Sequence, residues 1–458
     1  MDDLQTFLAQ YAREFPTAVC HIESEVPRGF YSTAAVLEAE RLADPPVLIF
    51  DKMGGASMPV VTNVFASRAR IAFALGTTVD QLPDYWIAQQ GKLIPPELVN
   101  LGASQEVCHL GDEANAEWLP ALTHFQQDAG PYITSGVFIA KDPDHGWGNL
   151  SFHRMQLKGP RRFGTSLHSR AHLWDYQRRA ELQGRALEVA VVVGMHPAYL
   201  IAATSRVPIE VDETDIAGAF LGHPLRVVQC KTVDLQVPAD AEIVLEGAIE
   251  SGKDEQEGPF GEYTRHSSGR STNHVFKLRA ITHRSNPVFL DICPGGSHEH
   301  LNLGQVPAEA GLLKKVRESF PDVKALFTPY SGTIYHCYVS VKKRRASDGR
   351  QLGLLLLGLD PYLKLVVVVD DDVDVFDEAQ VLWAMATRMQ AGRDAIIVDD
   401  MTCNLLDPSS SKSGTSSKMA IDATIPEGFE AERLTLPADA LKWAKETFGA
   451  LLQSPPRP

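Results

Sequence analysis

The sequence has no CxxC pair. Its six cysteines, Cys20, Cys108, Cys230, Cys293, Cys337 and Cys403, never come closer than Cys293 and Cys337. That spacing excludes a zinc ribbon and a small disulfide scaffold. Long apolar runs are also missing: 189–195 and 354–359 are too short to cross a bilayer. The opening MDDLQTFLAQYAREF carries two acids where a signal peptide carries bases. Bases are scarce overall, 43 Lys and Arg against 58 Asp and Glu, for a formal net charge of −15. Such a surface repels a phosphate backbone, which excludes broad nucleic-acid binding. No GxSxG, GxGxxG or P-loop occurs. What is present is ordinary for a globular chain, 44% hydrophobic and 22% charged over 458 residues. At about 150 residues per domain this gives two or three domains, and the expected setting is reduced, cytoplasmic, with no membrane or nucleic-acid partner.

Periodicity divides the chain in three. Leu4, Phe7, Leu8 and Tyr11 recur at helical spacing, so an amphipathic helix is expected first. A second helix is predicted over 33–42, and Pro45-Pro46 then break into a strand, Val47-Leu48-Ile49-Phe50. From about Tyr132 to Leu290 strands dominate, at 137–139, 187–193, 225–228, 242–245 and 275–278, with a helix over 174–183. After Pro307 the pattern alternates: helix 308–320, strands 335–341 and 363–369, helix 378–390, strand 395–398 and a last helix 438–452. The polar stretch 408–417, PSSSKSGTSS, reads as a mobile loop. The expected fold class is mixed α+β and α/β. It comprises an N-terminal α/β domain (1–100), a β-rich middle domain (101–306) and a C-terminal α/β domain (307–458).

Glu257-Gly-Pro-Phe-Gly-Glu262 cannot be a helix, because a Pro and two Gly separate its acids; it is a fixed turn. A tight turn can aim both carboxylates into one pocket, and paired carboxylates in different surroundings can be held one ionised and one protonated. An ordinary acidic turn after Lys253-Asp254-Glu255 is the plainer alternative. Asn149-Leu-Ser-Phe-His-Arg154 reads as a strand bearing an amide, an imidazole and a guanidinium. On a regular strand 149, 151 and 153 share one face and Arg154 takes the other. The two faces then serve different parts of a ligand, or a bulge separates them; a polar strand edge fits the pattern equally. Asn149, His168 and Glu213 form an N/O ligand set with one negative charge, suited to Mn²⁺ or Mg²⁺. Asp370-Asp-Asp-Val-Asp374 matches a DDxxD pattern but follows a predicted strand, so it reads as a strand-to-helix turn with Asp377 as N-cap. His298-Glu-His300 lacks a third ligand at helical spacing and follows CPGGS, so it reads as a loop and a pocket wall.

Taken together these residues resemble the UbiD-type family of prenylated-FMN-dependent decarboxylases, in its aromatic and heteroaromatic acid branch. The similarity runs through NLSFHR (149–154), DETDIAGAFLGHPLRVV (212–228), VPADAEIVLEGAIESGKDEQEGPFGEYT (237–264), YLKLVVVVDDDVDV (362–375), LWAMATRM (382–389) and SSKMAIDAT (416–424). It implies a middle domain like a split β-barrel that binds the flavin. It implies that Asn149, His168 and Glu213 hold Mn²⁺ or Mg²⁺ bridging the cofactor phosphate, with K⁺ as a further ion and His172 as an alternative to His168. Lys364 would contact the phosphate, and Phe152, His153, Arg154, Ser166, Leu167 and His168 would line the flavin. Lys418 is a further residue that could approach it.

The implied chemistry is reversible, non-oxidative decarboxylation. Loss of CO₂ from an sp² carbon leaves a carbanion that no side chain stabilises, so an electron sink is required; the family's cofactor supplies it through a covalent adduct. Arg154 would position the carboxylate by charge-assisted hydrogen bonds, and Glu262 would return a proton. Glu257 would orient Arg154 and, through like-charge coupling, raise its neighbour's proton affinity. The substrate pocket is expected around 294–311, with His298, His300 and Ala308. Relatives that recognise a second carboxylate have an arginine eight residues after a histidine; here Ala308 follows His300, so a second charge would be unpaired. The expected substrate is an indole-, pyrrole-, furan- or hydroxybenzoate-type monocarboxylic acid. Expected partners are CO₂, a flavin prenyltransferase as cofactor supplier, and further copies in a homodimer or homohexamer. Two other classes stand beside this one: a cofactor-free scaffold or assembly protein, and a zinc-dependent hydrolase built on His298 and His300.

Overall fold

The apolar run Leu187–Val193 becomes a strand buried on both faces. Ala190 and Val192 face one core, with Leu4, Phe7 and Trp86; Val189, Val191 and Val193 face a second, with Tyr176 and Phe276. Two-sided burial explains why this strand is continuously apolar rather than alternating. In the computed structural model, described for residues 3–167 and 171–452, this strand lies inside a nine-stranded sheet. The spatial order there is Tyr132–Ile133, Met155–Leu157, Arg162–Thr165, Ser271–His283, Ile243–Glu257, Leu187–Val193, Val137–Lys141 and Gly148–Phe152, with Val107–Leu110 added against Ser271–His283. The sheet curls into a half-barrel, and its two longest strands slip register between Glu246 and Gly247 and between Ile249 and Asp254. Such irregularities bend a sheet.

Two α/β units flank it. The N-terminal sheet pairs Val19–Ile22, Val47–Phe50 and Val60–Thr62 with Phe289–Leu290, so its last strand comes from the end of the middle region. The C-terminal sheet has the order Val323–Phe327, His336–Val341, Leu365–Asp370, Thr415–Asp422, Ala395–Thr402, with parallel central pairs. The helix Asp348–Leu359 makes the crossover between the first of these parallel pairs. The mixed α/β multidomain fold is therefore the one expected.

Several local expectations need correction. The strands expected at 242–245 and 275–278 are the start of Ile243–Glu257 and the middle of Ser271–His283. The far half of the first is charged and largely exposed, and the second opens on the polar residues 271–274, so apolar patterning does not register those parts. The helix expected over 308–320 starts ten residues earlier, as His298–Ser319, and includes His298-Glu-His300 instead of leaving it as a loop. Ser297 caps it, accepting from the His300 N–H. Its first turn looks too polar for a packed helix because the Glu299 carboxylate is itself buried, accepting N–H donors from Asn63 (2.9 Å) and Phe65 (3.1 Å). The loop expected over 408–417 ends at Gly414, since Thr415–Asp422 is a strand. Pairing of its polar start with Ala395–Thr402 overrides its composition. Asp377 does cap the helix Glu378–Arg388, as the reading of 370–374 as a turn requires.

Candidate active site

The strand Gly148–Phe152 stops two residues short of Arg154, and the next begins at Met155. His153 and Arg154 lie in this break, which resolves the question of faces. His153 is buried, with Nε2 3.0 Å from Ser151 Oγ and Nδ1 3.2 Å from the Ser166 carbonyl. The Arg154 backbone carbonyl accepts from Thr165 Oγ1 at 3.0 Å.

The Arg154 side chain crosses to the end of the longest strand. Its Nε donates to Glu257 Oε1 and its Nη2 to Glu257 Oε2, each at 2.9 Å, while Nη1 donates to Glu262 Oε1. Glu257 is fully buried and Glu262 only 8% exposed. The Phe260 ring packs on the guanidinium, its centroid 4.8 Å from Cζ. Burial opposes the arginine's charge, but hydrogen bonding to Glu257 and the charges of both acids hold its pKa above the ordinary value.

The turn joining the acids is pinned on two sides. Gly261 N–H donates to Asp128 Oδ1 at 2.9 Å, and Ser268 N–H donates to the Phe260 carbonyl at 2.8 Å. Gly258 has φ +78°, a left-handed conformation favouring glycine. Gly261 is required for a different reason: a Cβ there would lie 2.5 Å from the Phe125 ring.

Arg154 and Glu262 line a cavity of about 460 Å³ together with Ser151, Phe152, His153 and Ser166, within the usual size range of cofactor and ligand sites. The opposite lining comes from the helix His298–Ser319, through His300, Leu301, Leu303, Gly304 and Pro307, and from Tyr263, Ile334 and Tyr362. Arg206 is a second lining cation, with Nη1 3.8 Å from Asp360 Oδ2 and its guanidinium over the Tyr362 ring at 5.8 Å.

Asn149 and Glu213 meet as neighbours. Asn149 Nδ2 is 3.2 Å from both Glu213 oxygens, and Leu150 N–H donates to Glu213 Oε2 at 2.8 Å. Glu213 opens the helix Glu213–Leu221, whose cap Asp212 accepts from Thr214 N–H at 2.8 Å. Gly148 allows that approach, since a Cβ there would lie 1.8 Å from Asp212 Oδ2. Burial pushes the Glu213 carboxyl up to about 8, against the Leu150 N–H that favours its anion. A buried carboxylate beside an amide is a donor set that a hard divalent cation would stabilise. His172 Nδ1 stands 4.0 Å from Glu213 Oε1, whereas His168 lies outside the described residues. Among the described residues no three His, Cys, Asp or Glu side chains converge as a metal site.

The remaining expected residues are dispersed. Leu167 is buried beside the lining residue Ser166. Lys364 Nζ is 2.7 Å from Asp407 Oδ2 and 2.7 Å from Ser409 Oγ, and it does not line the cavity. Lys418 is buried and donates to the Pro361 carbonyl at 3.0 Å. His300 lines the cavity; His298 instead stacks on Tyr330 with centroids 3.9 Å apart, and Ala308 lies one residue beyond the lining Pro307. Sequence reading passed over Phe260 and Tyr263, although both sit in EGPFGEYT, over Tyr362, which opens YLKLVVVVDDDVDV, and over Arg206, which had no signal. It also missed Asn273, whose Nδ2 donates to Glu257 Oε2 at 2.8 Å from the neighbouring strand.

An arginine held by two buried carboxyl groups at the wall of a cofactor-sized cavity is an arrangement that can bind a carboxylate by charge-assisted hydrogen bonds. Comparison with known proteins gives the family. Family models described as the Rift-related, C-terminal and N-terminal domains of 3-octaprenyl-4-hydroxybenzoate carboxy-lyase match residues 98–297, 301–423 and 21–89. The UbiD-class enzyme HmfF from Pelotomaculum thermopropionicum, solved in complex with FMN, is 39% identical with a TM-score of 0.92, over 97% of this chain and 99% of that one. An evolved dimeric form of it, solved with prFMN, is 37% identical with a TM-score of 0.88, over 96% and 98%. Anhydromevalonate phosphate decarboxylase of Methanothermobacter thermautotrophicus is 34% identical over 88% of this chain and 93% of its own. Phenolic acid decarboxylase of Bacillus subtilis is 35% identical over 72% of each. The chain belongs to the UbiD family. It is a decarboxylase of that family. No described helix is long and apolar enough to cross a membrane.

Proposed function

We propose that this protein catalyses the reversible, non-oxidative decarboxylation of an aromatic or heteroaromatic monocarboxylic acid with prenylated FMN as cofactor. The observation that carries the proposal is the Glu257–Arg154–Glu262 network at the wall of the 460 Å³ cavity. Phe152, His153 and Ser166 would hold the flavin, with Leu167 behind them. Asn149 and Glu213, with His168 or His172, would hold Mn²⁺ or Mg²⁺ at its phosphate. Lys364, paired here with Asp407, is the candidate for direct phosphate contact. When bound, the cofactor would supply the electron sink that decarboxylation at an sp² carbon requires.

The chain's own residues do the rest. Arg154 presents its guanidinium to the substrate carboxylate, and the bidentate grip of Glu257 fixes its plane. Glu262, on the other side of Arg154, holds the proton that replaces CO₂ on the reacting carbon and takes it back in the carboxylation direction. Phe260, Ile292, Leu301, Leu303 and Pro307 line the cavity with apolar surface. That surface suits a flat ring, and Ala308, where relatives that recognise a second carboxylate have an arginine, supplies no charge for one.

The test is expression with and without a flavin prenyltransferase, followed by absorbance and cofactor mass, bound-metal analysis, and a screen of aromatic acids for CO₂ release. Release only from the cofactor-loaded protein supports the proposal. Stoichiometric zinc without flavin would favour the hydrolase on His298 and His300. No cofactor under any condition would favour the scaffold. A second substrate class, a phosphorylated acid, is favoured by the anhydromevalonate phosphate decarboxylase relative and by Arg206 in the cavity wall; it belongs in the same screen.

A further inference from the structure

The helix His298–Ser319 presents His300, Leu303, Gly304 and Pro307 to the cavity. These positions follow the i, i+3, i+4, i+7 spacing of one helical face, so the middle of the wall is the one residue without a side chain. Gly304 is not needed for backbone conformation, since its φ is not among the positive ones. It is not needed for close packing either: a Cβ built there meets nothing within 4 Å. Gly353, in the helix Asp348–Leu359, differs, because its Cβ would lie 2.9 Å from that of Ala420. A helical glycine is less favourable than alanine by about 1 kcal/mol. What the glycine leaves at 304 is open space on the cavity face of the helix.

We propose that Gly304 is a specificity-determining residue, keeping open the space that the second ring of a fused bicyclic aromatic acid occupies. The proposal rests on the reading of this cavity as an aromatic-acid decarboxylase site. A side chain at 304 projects from the helix face between His300 and Pro307 and narrows the cavity there. On this proposal a one-ring acid leaves that volume empty and the second ring of a bicyclic acid fills it.

The test uses the full-length, cofactor-loaded protein and its Gly304→Ala and Gly304→Leu variants, with indole-3-carboxylate and pyrrole-2-carboxylate as probes. Binding is read by calorimetry and turnover by CO₂ release, with thermal midpoints as the folding control; alanine favours the helix, so that variant keeps the experiment informative. Gly304→Leu is expected to weaken binding and kcat/KM for the indole acid by about 10- to 100-fold, the range for misfit in an apolar pocket. The pyrrole acid should stay within about threefold, and Gly304→Ala should fall between. Equal losses for both acids, no loss for either, or a parent that releases CO₂ from one-ring acids but binds no bicyclic acid would overturn the proposal. A parent that releases CO₂ from no aromatic acid fails the functional reading itself, and the proposal with it.

Discussion

Arg154 meets Glu257 through two parallel hydrogen bonds, Nε to Oε1 and Nη2 to Oε2, both 2.9 Å long. The same Oε2 also accepts from Asn273 at 2.8 Å. Glu257 is thus occupied on both oxygens and fixes the plane of the guanidinium, whereas Glu262 touches it through Nη1 alone. The two acids are not equivalent, and their substitution should differ accordingly.

Arg154→Lys keeps the charge and loses the fork. A hydrogen bond to a charged group contributes about 1.5–3 kcal/mol, so kcat/KM should fall by about 10- to 100-fold. Glu257→Gln should give a comparable loss and also lower stability, because it leaves a buried guanidinium partly uncompensated. Steady-state kinetics with a thermal midpoint checks both. A lysine variant with parental kcat/KM would show that the bidentate geometry is irrelevant.

Glu213→Gln removes the carboxylate beside Asn149 and should reduce bound divalent metal to background, with loss of retained flavin. Gly148→Ala should lower metal content more mildly, because its Cβ collides with Asp212, the cap of the helix that carries Glu213. Elemental analysis and flavin absorbance of the purified variants report both. Full metal occupancy in Glu213→Gln would remove that residue from the ligand set.

His298 supplies a pH signature. Burial, reinforced by the Arg265 guanidinium, pushes its pKa from 6.5 down to about 4. Above pH 6.5 the ring is neutral whether the chain is folded or not. Between 6.5 and about 4 only the unfolded chain takes up the proton, so this residue lowers stability as pH falls, and the effect levels off below about 4. The facing groups are the Tyr330 ring, Arg265 and Glu40, which accepts from the His298 backbone N–H. His298→Phe retains a ring to stack on Tyr330 and should flatten the decline of the thermal midpoint across that window. Parallel profiles for parent and variant would contradict this account.

Much of the architecture was legible because burial leaves a periodic trace. Leu187–Val193 is apolar throughout since both its faces are covered, and Leu4, Phe7, Leu8 and Tyr11 mark the buried stripe of the first helix. The trace fades where a polar residue is buried with partners of its own. Glu299, satisfied by backbone N–H groups, disguised the first turns of the helix His298–Ser319, so that the expected pocket wall read as a loop. The EGPFGE turn announced itself because Pro and Gly admit few conformations. Asn273 and Arg206 come from distant segments, and only tertiary contact gives them a role.

The most direct measurement is deuterium incorporation into the decarboxylated product in D₂O, comparing the parent with Glu262→Gln, each shown by absorbance to carry cofactor. Loss of a general acid lowers rates by about 10²–10⁴. The account predicts deuterium at the carbon that lost CO₂ in the parent, and incorporation slowed by that factor in the variant with its cofactor retained. Equal incorporation rates in the two loaded proteins would contradict the assignment of Glu262 as proton donor and, with it, the role given to the Glu257–Arg154–Glu262 network.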